Sequence, residues 1–186
     1  MLPVVLIPFV STTSIPDNSL LDLSLESVGY VLLMAGVGLR LWSTLYIGSR
    51  KSQELIRQGP YSICRNPLYL GTSSIVIGVA LLFSNPIMLL AILLLFLPAT
   101  FLAIKMEEHH LEELFAEQYR DYRRQVPRLW PSFRRYVSPE RLEVSTRTIT
   151  KAAIDVSGIL LVPLAEDVIR FLHSHNWLPV LWMLRV

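Results

Sequence analysis

The chain has 186 residues, of which 52% are apolar and only 17% charged, with a formal net charge of +2 and a single cysteine. Soluble domains average about 25% charged residues, so this composition points to a bilayer rather than to a soluble enzyme. One cysteine excludes a disulfide framework, and a charge so near neutrality gives no electrostatic footprint for nucleic acid.

The chain opens on "MLPVVLIPFV", apolar but about half the ~20 residues a span needs. It reads as a short or re-entrant span or an interfacial anchor; without a basic region ahead of it, it does not read as a cleaved signal peptide. Residues 11–24 contain no Lys or Arg but carry Asp17 and Asp22. A span follows over about 25–47, "LESVGYVLLMAGVGLRLWSTLYI", interrupted only by Arg40.

After a basic loop comes "GPYSICRNPLYLG" at 59–71, and then residues 68–104, 37 positions with no Asp, Glu, Lys, Arg or His. That is enough for two spans. "SNP" at 84–86 supplies a break, because proline removes a backbone donor and disfavours helix at the preceding residue. The expectation is a helical hairpin with arms 67–84 and 86–104 and its turn at Asn85.

A second polar cluster, "KMEEHHLEELFAEQYRDYRRQVPRLWP", occupies 105–131. Of 17 Lys and Arg residues, 14 flank the hairpin, four in 48–67 and ten in 105–151. Positive-inside reasoning puts both flanks in the cytoplasm and Ser14 and Asn85 on the other side. Topology therefore brings the two polar clusters to one membrane face, where they can wall a pocket.

In the tail, Ile149, Ala153, Val156, Leu160 and Leu164 recur at helical spacing. Glu166, Asp167 and Arg170 interrupt any apolar 20-residue window there, so the expectation is one or two interfacial or bundle-packed helices. No linker divides the chain, which reads as one all-α domain, 1–186: a polytopic helical bundle with a motif-bearing core at about 36–131 and a helical extension at about 145–186.

The order "GPYSICRNPLYLG", hairpin, "EEHHLEELF", "YRDYRRQVPRLWP" resembles the isoprenylcysteine carboxyl methyltransferase and phospholipid methyltransferase family of integral membrane enzymes. In that family an Arg-His-Pro-x-Tyr box, a Glu-Glu pair and a Tyr-x-x-Tyr-x-x-x-Val-Pro tail surround S-adenosylmethionine. The resemblance implies cofactor or pocket positions for Arg65, Asn66, Pro67, Tyr69, Glu107, Glu108, Tyr119 and Tyr122. Two departures stand out: Asn66 replaces the histidine of the box, and Gln125 stands where the protein carboxyl methyltransferases have arginine, with Arg124 and Arg128 nearby as cations to orient a substrate.

Methyl transfer from a sulfonium needs alignment and desolvation more than a metal. Because the sulfonium loses charge in the transition state, Glu107 and Glu108 are expected to hold the cofactor's ammonium or ribose, and Arg65 its carboxylate. The implied acceptor is an amphiphile in the bilayer, such as a prenylcysteine-like carboxylate or a lipid acid; phosphatidylethanolamine N-methylation is the alternative.

Each of these residues also has a plain reading: Gly59 and Pro60 as a turn, Arg65 as a headgroup anchor, the 107–124 charges as a solvated helix face. Arg40 divides between a pocket role and snorkelling to the interface, and Cys64 reads as packing. Glu107-x-x-His110 has di-iron spacing, but no second Glu-x-x-His exists in the chain, so no metal is assigned. An NADPH-dependent sterol-type reductase would share the Arg-x-Pro box, yet its usual Asn-Tyr-x-Gly-Glu continuation is absent at "LYLGT". A nonenzymatic scaffold explains the hydrophobicity but not two polar clusters on one face.

Overall fold

The computed structural model describes residues 11–13, 19–48, 54–175, 177 and 182–184. The apolar start, Ser14 and most of "HNWLPVLWMLRV" lie outside them. Among the described residues from 19 to 175 every regular element is helical. The expected all-α class is corrected only at the ends, where Ser11–Thr13 (β1) and Trp182–Leu184 (β2) pair in parallel, Ser11 opposite Trp182. Strands of three residues carry no readable alternation.

Helix α1 spans Leu20–Ile47. Ser19 starts it, its hydroxyl accepting from the Asp22 amide at 3.1 Å and so satisfying a free first-turn N–H. The four-residue helix α2, Pro60–Ile63, precedes α3, Pro67–Leu82. Both begin on proline, whose missing N–H costs nothing at a first helical position.

The break falls where "SNP" requires it. Ser84 takes φ 45°, and the Asn85 side chain accepts from the Met88 amide at 3.0 Å to start the next helix. That helix, α4, runs over Pro86–Gln125 with a π-helical turn at Ile92–Phe96. The expected second arm therefore does not stop at residue 104; the span and the charged cluster are one helix, because nothing between Ile104 and Phe115 breaks it. A kink does occur at Ala116, with φ 42° and ψ −116°.

Helices α1 and α4 are long and apolar enough to cross a membrane, and less than a third of each apolar window is buried within the protein. Leu94, Leu95 and Leu102 are all about 60% exposed. A core helix of a soluble domain hides such residues; here they need lipid. Helix α3 is apolar but only 16 residues long.

The described residues form two compact units. One comprises segments within Met1–Ala35, Ser73–Ala99 and Gly158–Val186. Its core is Ala80, Met88, Ile92 and Phe96. There α1 and α3 meet through glycines: a Cβ on Gly78 would stand 2.8 Å from the Gly29 carbonyl oxygen and from the Leu33 amide nitrogen. Small residues permit this backbone approach, the usual device of membrane helix pairs.

In the same unit Asp22 accepts from the Ser84 hydroxyl at 2.9 Å and pairs with Arg170, which also holds Glu166 at 2.6 Å. The three interrupting charges of the tail thus do not behave alike, since Glu166 is buried and Asp167 exposed.

The other unit comprises segments within Gly36–Thr72 and Thr100–Ser157. Its core is Tyr119, Tyr122 and Val126 against Leu55, Leu111 and Phe115. The tail is two helices, α5 at Thr146–Leu160 and α6 at Val162–Ser174. Two helices match the expectation of one or two; Thr148, Ala152, Glu166 and Ile169 are buried, while Ile149, Ala153, Leu160 and Leu164 of the apolar stripe are exposed. The cap explains the first turn. Ser145 accepts from the Thr148 amide at 3.2 Å and bonds its hydroxyl at 2.8 Å, which draws Thr148 inward and leaves the apolar stripe outside.

Candidate functional site

The site is built from the loop before α3, the middle of α4 and the strap that follows α4. Gly59 has φ 59° and ψ −131°, backbone that glycine enters readily and other residues do not. The Tyr46 ring occupies the space where a Cβ would be. The strap returns alongside this loop: Arg65 N donates to Pro127 O at 2.9 Å, Ser132 N to Ile63 O at 2.9 Å, and Gly59 N to Val137 O at 2.7 Å. The kink at Ala116 turns the last part of α4 so that the Tyr122 hydroxyl donates to the Tyr61 carbonyl at 2.7 Å.

At the centre lies Glu108, with only 8% of its side chain exposed. Asn66 Nδ2 donates to its Oε1 at 2.8 Å, and Arg128 gives Nε and Nη2 to its Oε2 at 3.0 and 2.7 Å. Arg65, 9% exposed, pairs with Oε1 at 3.5 Å. A carboxylate between two guanidiniums and a carboxamide is fully engaged. Glu108, expected at the cofactor, here fixes the groups around it.

Beside this cluster opens a cavity of about 270 Å³, just under the ~300–1,000 Å³ of most small-molecule sites. Arg65, Asn66, Pro67, Tyr69, Glu107 and Tyr122 line it, together with Arg40, Glu54, Tyr61 and Thr72 and the apolar Leu55, Leu68 and Leu111. Of the residues expected at the cofactor, Glu108 and Tyr119 stand behind the wall. Tyr119 is buried, with its hydroxyl close to Arg65 but short of regular hydrogen-bond geometry.

Neither of the two arginines expected to orient a substrate lines the cavity. Arg124 is exposed and pairs with Asp121 at 3.7 Å; Arg128 is turned onto Glu108 and over the Phe101 ring at 5.6 Å. Cys64 is buried with its sulfur 3.4 Å from the Arg128 and Leu129 carbonyls. Burial raises its thiol to about 11, partly offset by a backbone hydrogen bond and Arg65. It packs.

Tyr61, Arg40 and Thr72 were not expected to line the cavity together. Tyr61 sits inside the quoted motif, and Arg40 was legible as a charge in a span; Thr72 had no signal beyond its place one turn after Leu68. His110 is exposed, and no three His, Cys, Asp or Glu side chains gather among the described residues as a metal would require.

Among the buried polar atoms without a regular hydrogen bond are Arg65 Nε and the Tyr61 hydroxyl, and Arg65 Nη1 has only its 3.5 Å ion pair with Glu108. Such atoms cost free energy until a partner reaches them. A donor fork and a phenol on one wall fit the carboxylate of an amino-acid-bearing cofactor, and half-buried Glu107 on the same cavity fits its ammonium or hydroxyl groups.

Comparison with known proteins agrees with this picture at the level of the family. The phospholipid methyltransferase family model matches residues 25–118. A nickel-cobalt-cadmium resistance protein, NccN, of Alcaligenes xylosoxydans xylosoxydans is 31% identical over 182 residues, 97% of this chain and 84% of that one. The cobalt-zinc-cadmium resistance protein CzcN of Cupriavidus metallidurans is 32% identical over 114 residues, 61% of this chain and 51% of its own. Protein-S-isoprenylcysteine O-methyltransferase B of Arabidopsis thaliana is 31% identical over 81 residues, 44% of this chain and 41% of that protein. No solved structure matches. The family match takes in the first span, the Arg65 loop and the Glu107-Glu108 pair, the segments that build the cavity, and on it the chain belongs to the phospholipid methyltransferase family.

Proposed function

We propose that the protein transfers a methyl group from S-adenosylmethionine to an amphiphilic acceptor embedded in the membrane, such as a lipid acid or prenylcysteine-like carboxylate. The observation that carries this reading is the Arg65 guanidinium, buried at the cavity wall with Nε lacking a hydrogen-bond partner and Nη1 held only by the 3.5 Å ion pair with Glu108. Bound there, S-adenosylmethionine would supply an electrophilic methyl group. Arg65 and the Tyr61 hydroxyl would hold its carboxylate, and Glu107 its ammonium or ribose. Glu108 keeps Arg65 and Asn66 in place. The apolar wall of Leu55, Leu68 and Leu111 excludes water, which strengthens each of these contacts and keeps the acceptor's nucleophile poorly solvated.

The metal-resistance names of two relatives describe those proteins; the reading for this chain rests on its cavity. The cation distribution supports a cavity facing the cytoplasm. Ser62 and Asn85 are buried, so exposed Gln118 and Pro86 are the sites for impermeant thiol labelling, as single cysteines in a Cys64→Ser background. Labelling on intact cells is expected at 86 and not at 118.

Titrating detergent-solubilised protein with S-adenosylmethionine and with NADPH tests the chemistry. Saturable binding of the first alone is expected, weakened about ten- to a hundredfold by Arg65→Ala through loss of charge-assisted hydrogen bonds. Binding of NADPH in its place would move the protein to the reductase class.

A further inference from the structure

Arg40 is a charge within an apolar helix, about 10 Å along the axis from the end of α1 at Ile47. Its Nη1 donates to Thr72 Oγ1 at 2.6 Å, and Thr72 in turn donates to the Leu68 carbonyl at 2.8 Å. The Arg40 carbonyl is tied separately, accepting from Thr44 Oγ1 at 2.8 Å. The guanidinium is thus aimed at the cavity that Arg65 and Glu107 also line.

Its charge balance differs from that of the other cations of the site. Arg65 and Arg128 share Glu108; Arg40 has a hydroxyl and no carboxylate partner among the described residues. A guanidinium within an apolar span is costly without an anion. Thr72 uses one of its five donors, and the remaining edge forms a fork suited to two oxygens of one anionic group.

We infer that Arg40, oriented by Thr72, is the residue that selects the acceptor, binding an anionic group carried on a lipid chain. This rests on the proposed methyl transfer and assigns the residue that recognises its acceptor. The anionic group is a carboxylate that itself takes the methyl, or a phosphodiester that anchors a neighbouring nucleophile. For a carboxylate the step balances without a base: an oxygen–methyl bond forms as the sulfur–methyl bond breaks, the bonding pair stays on sulfur, and acid and sulfonium end as neutral ester and thioether. Neutralising the anion removes its attraction to Arg40, so the product leaves more readily than the substrate.

The test is equilibrium binding of radiolabelled oleate, methyl oleate and dioleoylphosphatidylethanolamine to protein in neutral maltoside micelles at pH 8, with S-adenosylmethionine affinity measured in parallel. Wild type is expected to prefer oleate over methyl oleate at least tenfold. Arg40→Gln should abolish the preference, and Thr72→Val, which keeps the charge and removes its support, should reduce it severalfold. In both, the loss of oleate preference should exceed any loss of S-adenosylmethionine affinity at least fivefold. Arg40→Lys, retaining charge without the fork, should fall between wild type and Arg40→Gln and serves if the glutamine variant does not fold.

Arg40-dependent binding of phosphatidylethanolamine without oleate would identify the phosphodiester as the source of the anion. Equal binding of acid and ester by wild type, with no Arg40-dependent lipid binding, would overturn the inference. So would a tenfold loss of S-adenosylmethionine affinity in Arg40→Gln with oleate preference intact, which would assign Arg40 to the cofactor. Absence of S-adenosylmethionine binding by wild type would instead sink the proposed function, leaving an Arg40-dependent lipid site standing.

Discussion

The carboxamide of Asn66 donates to Oε1 of Glu108 at 2.8 Å, while its other contact, at 3.2 Å, goes to the backbone carbonyl of Arg128. The replacement of histidine by asparagine removes a proton acceptor, and the carboxamide instead ties the Arg65 loop both to α4 and to the strap behind it. Its donors are committed to structure.

Glu108→Ala is expected to destabilise the protein more than Arg128→Ala. Removing the carboxylate leaves the Arg65 guanidinium, only 9% exposed, without its counterion, a situation that costs ~3–5 kcal/mol when a buried pair is broken. Arg128 is 36% exposed, and water can take over part of its role. Thermal unfolding of the two variants in the same detergent decides it; equal melting temperatures would mean that Glu108 is not the hub of the cluster.

Gly59→Ala combines two penalties. The residue sits at φ 59° and ψ −131°, and the added methyl would overlap the Tyr46 ring. Strain and overpacking each cost about 1–3 kcal/mol. A melting temperature unchanged from wild type would contradict this geometry.

Ala116→Gly is expected to act in the opposite direction. Alanine occupies φ 42° and ψ −116°, close to the conformation Gly59 adopts, and relieving that strain should outweigh the added chain entropy by about 1 kcal/mol. The variant should melt higher in detergent. A lower melting temperature would indicate that α4 runs straight through residue 116.

Cys64 should resist alkylation. Its thiol is pushed up from 9.0 to about 11, chiefly by burial, so roughly one molecule in a thousand carries the thiolate at pH 8. The folded state holds this proton more tightly than the unfolded one. The resulting stabilisation is complete below about pH 9 and is lost as pH rises through about 11. Maleimide labelling read by mass spectrometry should be slow at pH 8 and become rapid after denaturation; rapid labelling of folded protein would place the thiol in reach of water.

The sequence by itself determined the setting and the parts. A charge-free run from 68 to 104, a break at Ser84–Pro86 and cations on both flanks report directly on burial in lipid and on proline's missing donor, which are properties of residues in order. What it could not give was which parts face one another. Adjacent residues on a helix point about 100° apart, so Glu107 and Glu108 necessarily face different surroundings, yet nothing in "EEHH" says which meets the cavity and which the arginines. Arg124 and Arg128 were equivalent as spacings and are opposite in fate, because the strap hydrogen-bonded to Ile63 and Arg65 carries Arg128 inward while Arg124 stays on the helix surface. The kink that lets α4 return to the loop falls at alanine, the residue most favourable to unbroken helix, so only long-range packing of Tyr119 and Tyr122 selects it. Periodicity fixes a helix and its faces; ion-pair partners depend on rotamers and on distances set by contacts some 40–60 residues apart in sequence, and those exist only once the chain has folded.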